Sequence, residues 1–120
     1  MKLPKLNTAN KNKADIFLSI HINSFYNGKA NGTETYYYKQ KDKKLATFIQ
    51  NEMVKKLKRK NLGVKSAKLY VLRHSKMPTA LVEPLFITNR QEYKLLIQPQ
   101  IRQNIASAIF TGVSKYVKTP

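Results

Sequence analysis

His21, Glu34 and Glu83 are the side chains whose types and settings could do chemistry in this chain. His21 belongs to the run Ala14-Asp15-Ile16-Phe17-Leu18-Ser19-Ile20-His21-Ile22-Asn23, where an apolar stretch gives way to a polar turn. A neutral imidazole is the commonest zinc ligand, and ligands in open α/β sheets gather at the carboxyl ends of strands. Glu83 closes a second apolar run, Thr79-Ala80-Leu81-Val82-Glu83, and Glu34 follows a glycine in Gly32-Thr33-Glu34-Thr35. A carboxylate in a poorly solvated cleft has a raised pKa and can carry protons near neutral pH. Asp and Glu number only 6 against 23 Lys and Arg, so two of them in apolar strand settings stand out. The plainer alternatives stay open: a strand-end histidine can be structural, and a lone glutamate can be an ion-pair partner. His74, in the basic stretch Arg73-His74-Ser75-Lys76, reads as non-catalytic.

The elements that must position these residues follow from the hydropathy pattern. Residues 14–22 are rich in β-branched and aromatic residues and predict a strand buried on both faces, as in a parallel sheet. Before it, residues 1–13 read as the tail of a helix and a connection, with Asn10 or Asn12 near the helix end. Residues 23–32 carry Asn and Gly and predict a loop; Thr33 to Tyr38 predict a strand. Gly32 supplies a backbone conformation that other residues resist, or admits a close approach. From Lys44 to Lys60, Leu45, Phe48, Ile49, Met53 and Leu57 recur with helical spacing, and Asn61-Leu62-Gly63 reads as the cap that ends this helix. Lys68 to Leu72 and Thr79 to Glu83 predict two further strands, with Pro84 closing the second. Thr88 or Asn89 caps a short helix, with Glu92 reaching back to the cap. Ile101, Ile105, Ala108, Ile109, Val113 and Tyr116 define a last amphipathic helix. Strands interleaved with helices give an α/β class, with helices covering a sheet.

Composition sets the outer bounds. The chain has 120 residues, enough for one domain, and no cysteine, which excludes disulfides and thiolate zinc sites. No apolar run reaches the length needed to span a bilayer, and the basic start Met1-Lys2-Leu3-Pro4-Lys5 is not followed by the apolar segment of a signal peptide. The net charge of +17 favours polyanions: nucleic acid, anionic membrane or anionic wall polymer. Most of this charge is lysine, and no nucleic-acid-binding motif accompanies it, so no specific nucleic-acid partner is expected.

Several separated runs, in order, resemble the zinc-dependent N-acetylmuramoyl-L-alanine amidases of the cell-wall hydrolase type. They are Ala9-Asn10, residues 14–23, Gly32-Thr33-Glu34-Thr35-Tyr36-Tyr37, Val71-Leu72-Arg73, residues 77–83 and Phe86-Ile87-Thr88-Asn89. The resemblance implies a mixed, mainly parallel sheet flanked by helices, and one zinc ion held by two histidines and a glutamate. It matches His21 to the second zinc histidine and Glu83 to the glutamate that acts as general base and acid. Glu34, Asn23 and Arg73 would support the site. The implied substrate is peptidoglycan, cut at the amide between N-acetylmuramic acid and L-alanine, at the cell wall or outside the cell. Two departures accompany the match. The family's Gly-His-Gly run and its glutamate ligand should precede residue 9, and nothing there matches them. One zinc ligand of three is therefore present, and residues 1–120 read as a single, N-terminally incomplete domain. This is the C-terminal two-thirds of the family's domain, without its first strand and helix, and it is expected to expose a sheet edge or apolar surface. Leu85 stands where the family commonly has glycine, and its bulk would narrow the cleft or mark a subfamily. The alternative reading is a non-catalytic basic module that binds anionic cell-wall polymer.

Overall fold

The computed structural model describes residues 3–119. Its elements run α1 (Leu3–Lys11), β1 (Phe17–Ile20), β2 (Thr33–Tyr37), α2 (Lys43–Leu57), β3 (Asn61–Ser66), α3 (Tyr70–His74), β4 (Thr79–Glu83), α4 (Arg90–Leu96) and α5 (Pro99–Lys118). The strands form one mixed sheet in the order β1-β4-β2-β3. The β1–β4 and β2–β3 pairs are parallel, and β2 runs antiparallel to β4. The α/β class and the mixed, mainly parallel sheet expected from the sequence are both present.

Strand alternation sends side chains to two cores. On one face, Ala80 and Val82 of β4 pack against Leu45, Ala46, Ile49 and Met53 of α2 and Ile105, Ala108 and Ile109 of α5. The two helices approach closely at Gly112, where a Cβ would lie 2.7 Å from the Ile49 Cα. On the other face, Leu81 packs with Leu6 of α1 and Val71 and Leu72 of α3. The catalytic candidates lie on this second, more thinly covered face.

Three expectations are corrected. Lys68 to Leu72 does not form a strand: residues 70–74 are helical, and Val71 and Leu72 are both fully buried. Those two neighbours join the same core, whereas in a strand they would point to opposite faces. The strand lies earlier, at Asn61–Ser66, and Asn61-Leu62-Gly63 is its beginning rather than a helix cap. α2 ends instead at Lys58, which takes the left-handed conformation (φ 55°). Finally, β1 is not buried on both faces. It is an edge strand, with Ile20 55% exposed. His21 and Asn23 donate backbone N–H groups to Val82 and Leu85 of the β4 side. In a parallel ladder the intervening residues Ile20 and Ile22 then turn their amides outward. Among the described residues no strand pairs with this outer edge of β1.

Gly32 meets both expectations at once. Its φ is +115°, and a Cβ there would lie 2.6 Å from the Lys60 carbonyl oxygen.

Candidate functional site

β1 and β4 run parallel, so their carboxyl ends lie side by side and place His21 next to Glu83. The last register pair of these two strands is Ile20 with Val82, and the His21 N–H donates to the Val82 carbonyl at 2.9 Å. His21 and Glu83 line a cavity of about 270 Å³ together with Leu69, Tyr70, Val71 and Leu81. Tyr70 is half exposed and its ring packs on His74 at 4.2 Å between centroids. His74 is thus the outer member of an aromatic pair, away from the cavity lining.

The antiparallel β2–β4 pairing brings Glu34 directly opposite Glu83. Glu34 is buried and accepts hydrogen bonds from Asn23 Nδ2 at 2.5 Å and Lys65 Nζ at 2.8 Å. Asn23 thereby ties the turn after His21 to β2. A second cavity of about 300 Å³ adjoins this cluster, lined by Asn23, Phe25, Glu34, Tyr36, Lys65 and Phe86 among others.

Electrostatics separates the two carboxylates. Glu83 is pushed up to about 7, first by burial and then by the negative charge of Glu34. No hydrogen bond reaches its carboxylate among the described residues. A carboxyl group near neutrality, open to a cavity and without a donor, is suited to taking a proton from water and returning it to a leaving amine. The Tyr36 hydroxyl is driven upward, first by burial and then by its hydrogen bond to Glu34, with the charges of Glu34 and Glu83 adding to it. It stays protonated and faces the pair as a donor.

His21 Nε2 lies 3.0 Å from Ser19 Oγ, the neighbour two residues back on the same strand face. Among the described residues no group of three His, Cys, Asp or Glu side chains is placed to hold a metal ion. His21 and Glu83 alone offer two donors, short of the three protein ligands of a catalytic zinc. The residues present therefore do not fit a tightly held zinc by themselves.

The structure brings together His21, Asn23, Glu34 and Glu83. It does not bring Arg73 to them: Arg73 lies exposed on α3, outside both cavity linings. Leu85 does not narrow the cleft, because its side chain is fully buried in the core beneath α2. Tyr36, Lys65 and Ser19 join the site without having been singled out in the sequence. Ser19 and Tyr36 each lie two residues along a strand from a candidate, a spacing that shares a face. Lys65 gives no such signal, because Asn61-Leu62-Gly63, which begins its strand, reads as a helix cap in the sequence.

A sequence profile of the N-acetylmuramoyl-L-alanine amidase family matches residues 4–115. An uncharacterized cell wall amidase of Bacillus anthracis is 44% identical over 118 residues, covering 90% of this chain and 22% of that protein. N-acetylmuramoyl-L-alanine amidase LytC of Bacillus subtilis is 39% identical over 118 residues, covering 95% of this chain and 24% of that protein. Among solved structures, the N-acetylmuramoyl-L-alanine amidase of Clostridium difficile 630 superposes with a TM-score of 0.92 at 32% identity, covering 97% of this chain and 64% of that one. The chain thus spans about a quarter of the length of those two curated relatives and under two thirds of the solved one. No described helix is long and apolar enough to cross a membrane.

Proposed function

The chain belongs to the N-acetylmuramoyl-L-alanine amidase family, and from this premise we propose that its site serves hydrolysis of peptidoglycan, at the amide between the lactyl group of N-acetylmuramic acid and L-alanine. The observation that carries the reading is Glu83, half-buried, near-neutral and without a donor, at the carboxyl end of β4 beside His21. In this reading Glu83 takes the proton of the attacking water and hands it to the departing alanine nitrogen. Asn23, Glu34 and Lys65 hold the turn and the charge around it. The substrate places the site at the cell wall, where the relatives named as cell wall amidases would act.

The zinc implied by the resemblance would count His21 among its ligands, but the described residues do not complete a centre, so no step here runs through a metal. Zinc retained by the purified chain after gel filtration is expected far below one ion per chain. A value near one, lost in His21→Ala, would show that further ligands reach His21, for instance from a second copy.

The direct test digests purified peptidoglycan and measures newly exposed L-alanine amino groups. Release by the native chain, slowed at least about a hundredfold in Glu83→Gln, is the result that supports the hydrolytic reading. Equal release by both removes Glu83 from the chemistry. The incomplete donor set favours a second reading, a non-catalytic wall-binding module, and absence of release with retained sedimentation on peptidoglycan would establish it over the first.

A further inference from the structure

Phe25 and Tyr26 stand out in a loop that is otherwise polar, Asn23-Ser24-Phe25-Tyr26-Asn27-Gly28. Tyr26 is 93% exposed and Phe25 half exposed, and their ring centroids lie 4.5 Å apart. Neither ring belongs to the two cores. The loop beneath them is nevertheless fixed to the segment after β4. The Asn23 N–H donates to Leu85 and the Ile87 N–H to Asn23. The Phe25 N–H donates to Thr88 Oγ1 at 3.1 Å, and Asn89 Nδ2 donates to the Gly28 carbonyl at 3.1 Å. Gly28 runs so close that a Cβ would lie 3.2 Å from the Thr88 carbonyl oxygen, and the Gly32 N–H closes the loop on Glu92. Two apolar rings are thus held out to solvent on a firm support.

The support places them beside the candidate site. Phe25 lines the cavity of about 300 Å³ that adjoins Glu34, and Tyr26, packed on Phe25, carries the aromatic surface outward from it. We propose that Phe25 and Tyr26 form a platform for a sugar ring of the glycan strand, so that this cavity takes the saccharide side of the substrate while Glu83 and His21 meet the amide. The inference rests on the amidase reading, which supplies the polymer.

Charge chooses saccharide over peptide. Among the described residues, Lys65 is the one cation in the cavity lining and Glu34 the one acid, and they pair with each other at 2.8 Å. The lining is therefore balanced. N-acetylmuramic acid carries no charge once its lactyl carboxyl is engaged in an amide. The stem peptide ends in a carboxylate, and nucleic acid carries a phosphate at every step; each asks for cations that this lining does not spare. Shape agrees with charge. A pyranose chair has a face of C–H groups that packs on an aromatic face, and a rim of hydroxyls. Ser24, in the same cavity wall, brings a hydroxyl that can donate to and accept from such a rim. Tyr26 extends beyond the cleft, as suits a polymer that continues past the point of cleavage.

The test measures calorimetrically how the full chain binds glycan strands freed of stem peptide and capped at the lactyl carboxyl as methyl amides. It is made in the Glu83→Gln background, so that no amide is cut. Phe25→Ala/Tyr26→Ala should weaken binding at least about tenfold, the loss expected for an apolar ring returned to water. Tyr26→Ala alone, at a side chain too exposed to affect packing, should weaken it about threefold. Tyr26→Phe should bind like the parent, because the ring face and not the hydroxyl makes the contact. Tyr93→Ala/Phe110→Ala removes two exposed rings elsewhere and should change binding by less than about twofold. Equal losses in the two double variants, a loss confined to Tyr70→Ala in the other cavity, or free stem peptide binding more tightly than capped glycan would overturn the proposal. So would a parent that does not bind the capped glycan. The readout is binding, so a chain that releases no alanine from peptidoglycan can still show the expected pattern. A chain that releases alanine, but binds capped glycan equally well as Phe25→Ala/Tyr26→Ala, sinks this inference alone.

Discussion

Glu92 and Glu83 both end up in the interior edge of the same fold, and their surroundings could hardly differ more. Glu92 is fully buried and met by donors on every side: the Gly32 N–H at 2.9 Å, the Phe86 N–H at 2.8 Å and Arg59 Nε at 2.8 Å. It clamps together the glycine turn before β2, the segment after α2 and the segment after β4. Glu83 is half-buried beside a cavity, has no donor among the described residues and faces Glu34. A buried charge fully answered by hydrogen bonds holds structure, whereas one left unanswered beside a like charge is held for reaction. Glu34 stands between the two cases, answered by Asn23 and Lys65 on one side and pressing on Glu83 on the other.

The comparison breaks most sharply at Glu92. Glu92→Ala would strand two backbone N–H groups and a partly buried guanidinium, and breaking a buried pair by removing one partner costs about 3–5 kcal/mol. Urea unfolding should register a loss of that size. A loss below about 1 kcal/mol would mean that the clamp is ornamental and that Glu92 and Glu83 do not differ in kind. Arg59→Ala should cost less, since the two N–H donors remain on the carboxylate.

Glu34→Gln sharpens the comparison from the other side. Removing the like charge should lower the Glu83 pKa from about 7 without returning it to the ordinary carboxylate range, because burial is the larger cause and is unchanged. A carbon-detected NMR titration of the Glu83 carboxyl reads this directly. An unmoved midpoint would mean that Glu34 is not felt by Glu83 and acts only through Asn23 and Lys65.

Much of this contrast was legible in the chain. Glu83 after Thr79-Ala80-Leu81-Val82 and His21 after the first apolar run were both visible as strand ends, because strand periodicity and β-branched residues are local signals. Glu92 was legible only in part. Asn89 does cap α4, accepting from the Glu92 N–H at 3.0 Å, but the Glu92 side chain turns away from the cap to Gly32, Phe86 and Arg59. Those partners are distant in sequence, and no local rule announces them. β3 was hidden for a related reason. It is an edge strand with no buried residue, a glycine at φ +87° and a register shift opposite, so it lacks the alternation that marks half-buried strands. With β3 misread, Lys65 and its bond to Glu34 could not be found. The Lys68–Leu72 error has another origin: four apolar residues in five fit a strand or a short helix equally, and tertiary packing against Leu6 and Leu81 decides it.

The smallest effect separates the two glutamates by stability alone. Glu83 has its folded pKa raised above its ordinary value of 4.5, to about 7. The folded state therefore binds this proton more tightly than the unfolded state does. Its contribution to stability is fully present below about pH 4.5 and is lost as pH rises toward and through 7. Because the group is half exposed, screening reduces this to on the order of 1 kcal/mol. Glu83→Gln, which cannot ionise, should remove that segment of the curve: near-native stability at pH 4.5, and about 1 kcal/mol more than the native chain at pH 8. Chemical denaturation of both proteins across this range checks it. Parallel curves would mean that Glu83 is as well solvated folded as unfolded, and the reason for assigning it the proton would go. A gain above pH 7 would instead show that the fold carries an ionised Glu83 at a cost to its own stability, as expected of a group kept for reaction rather than for structure.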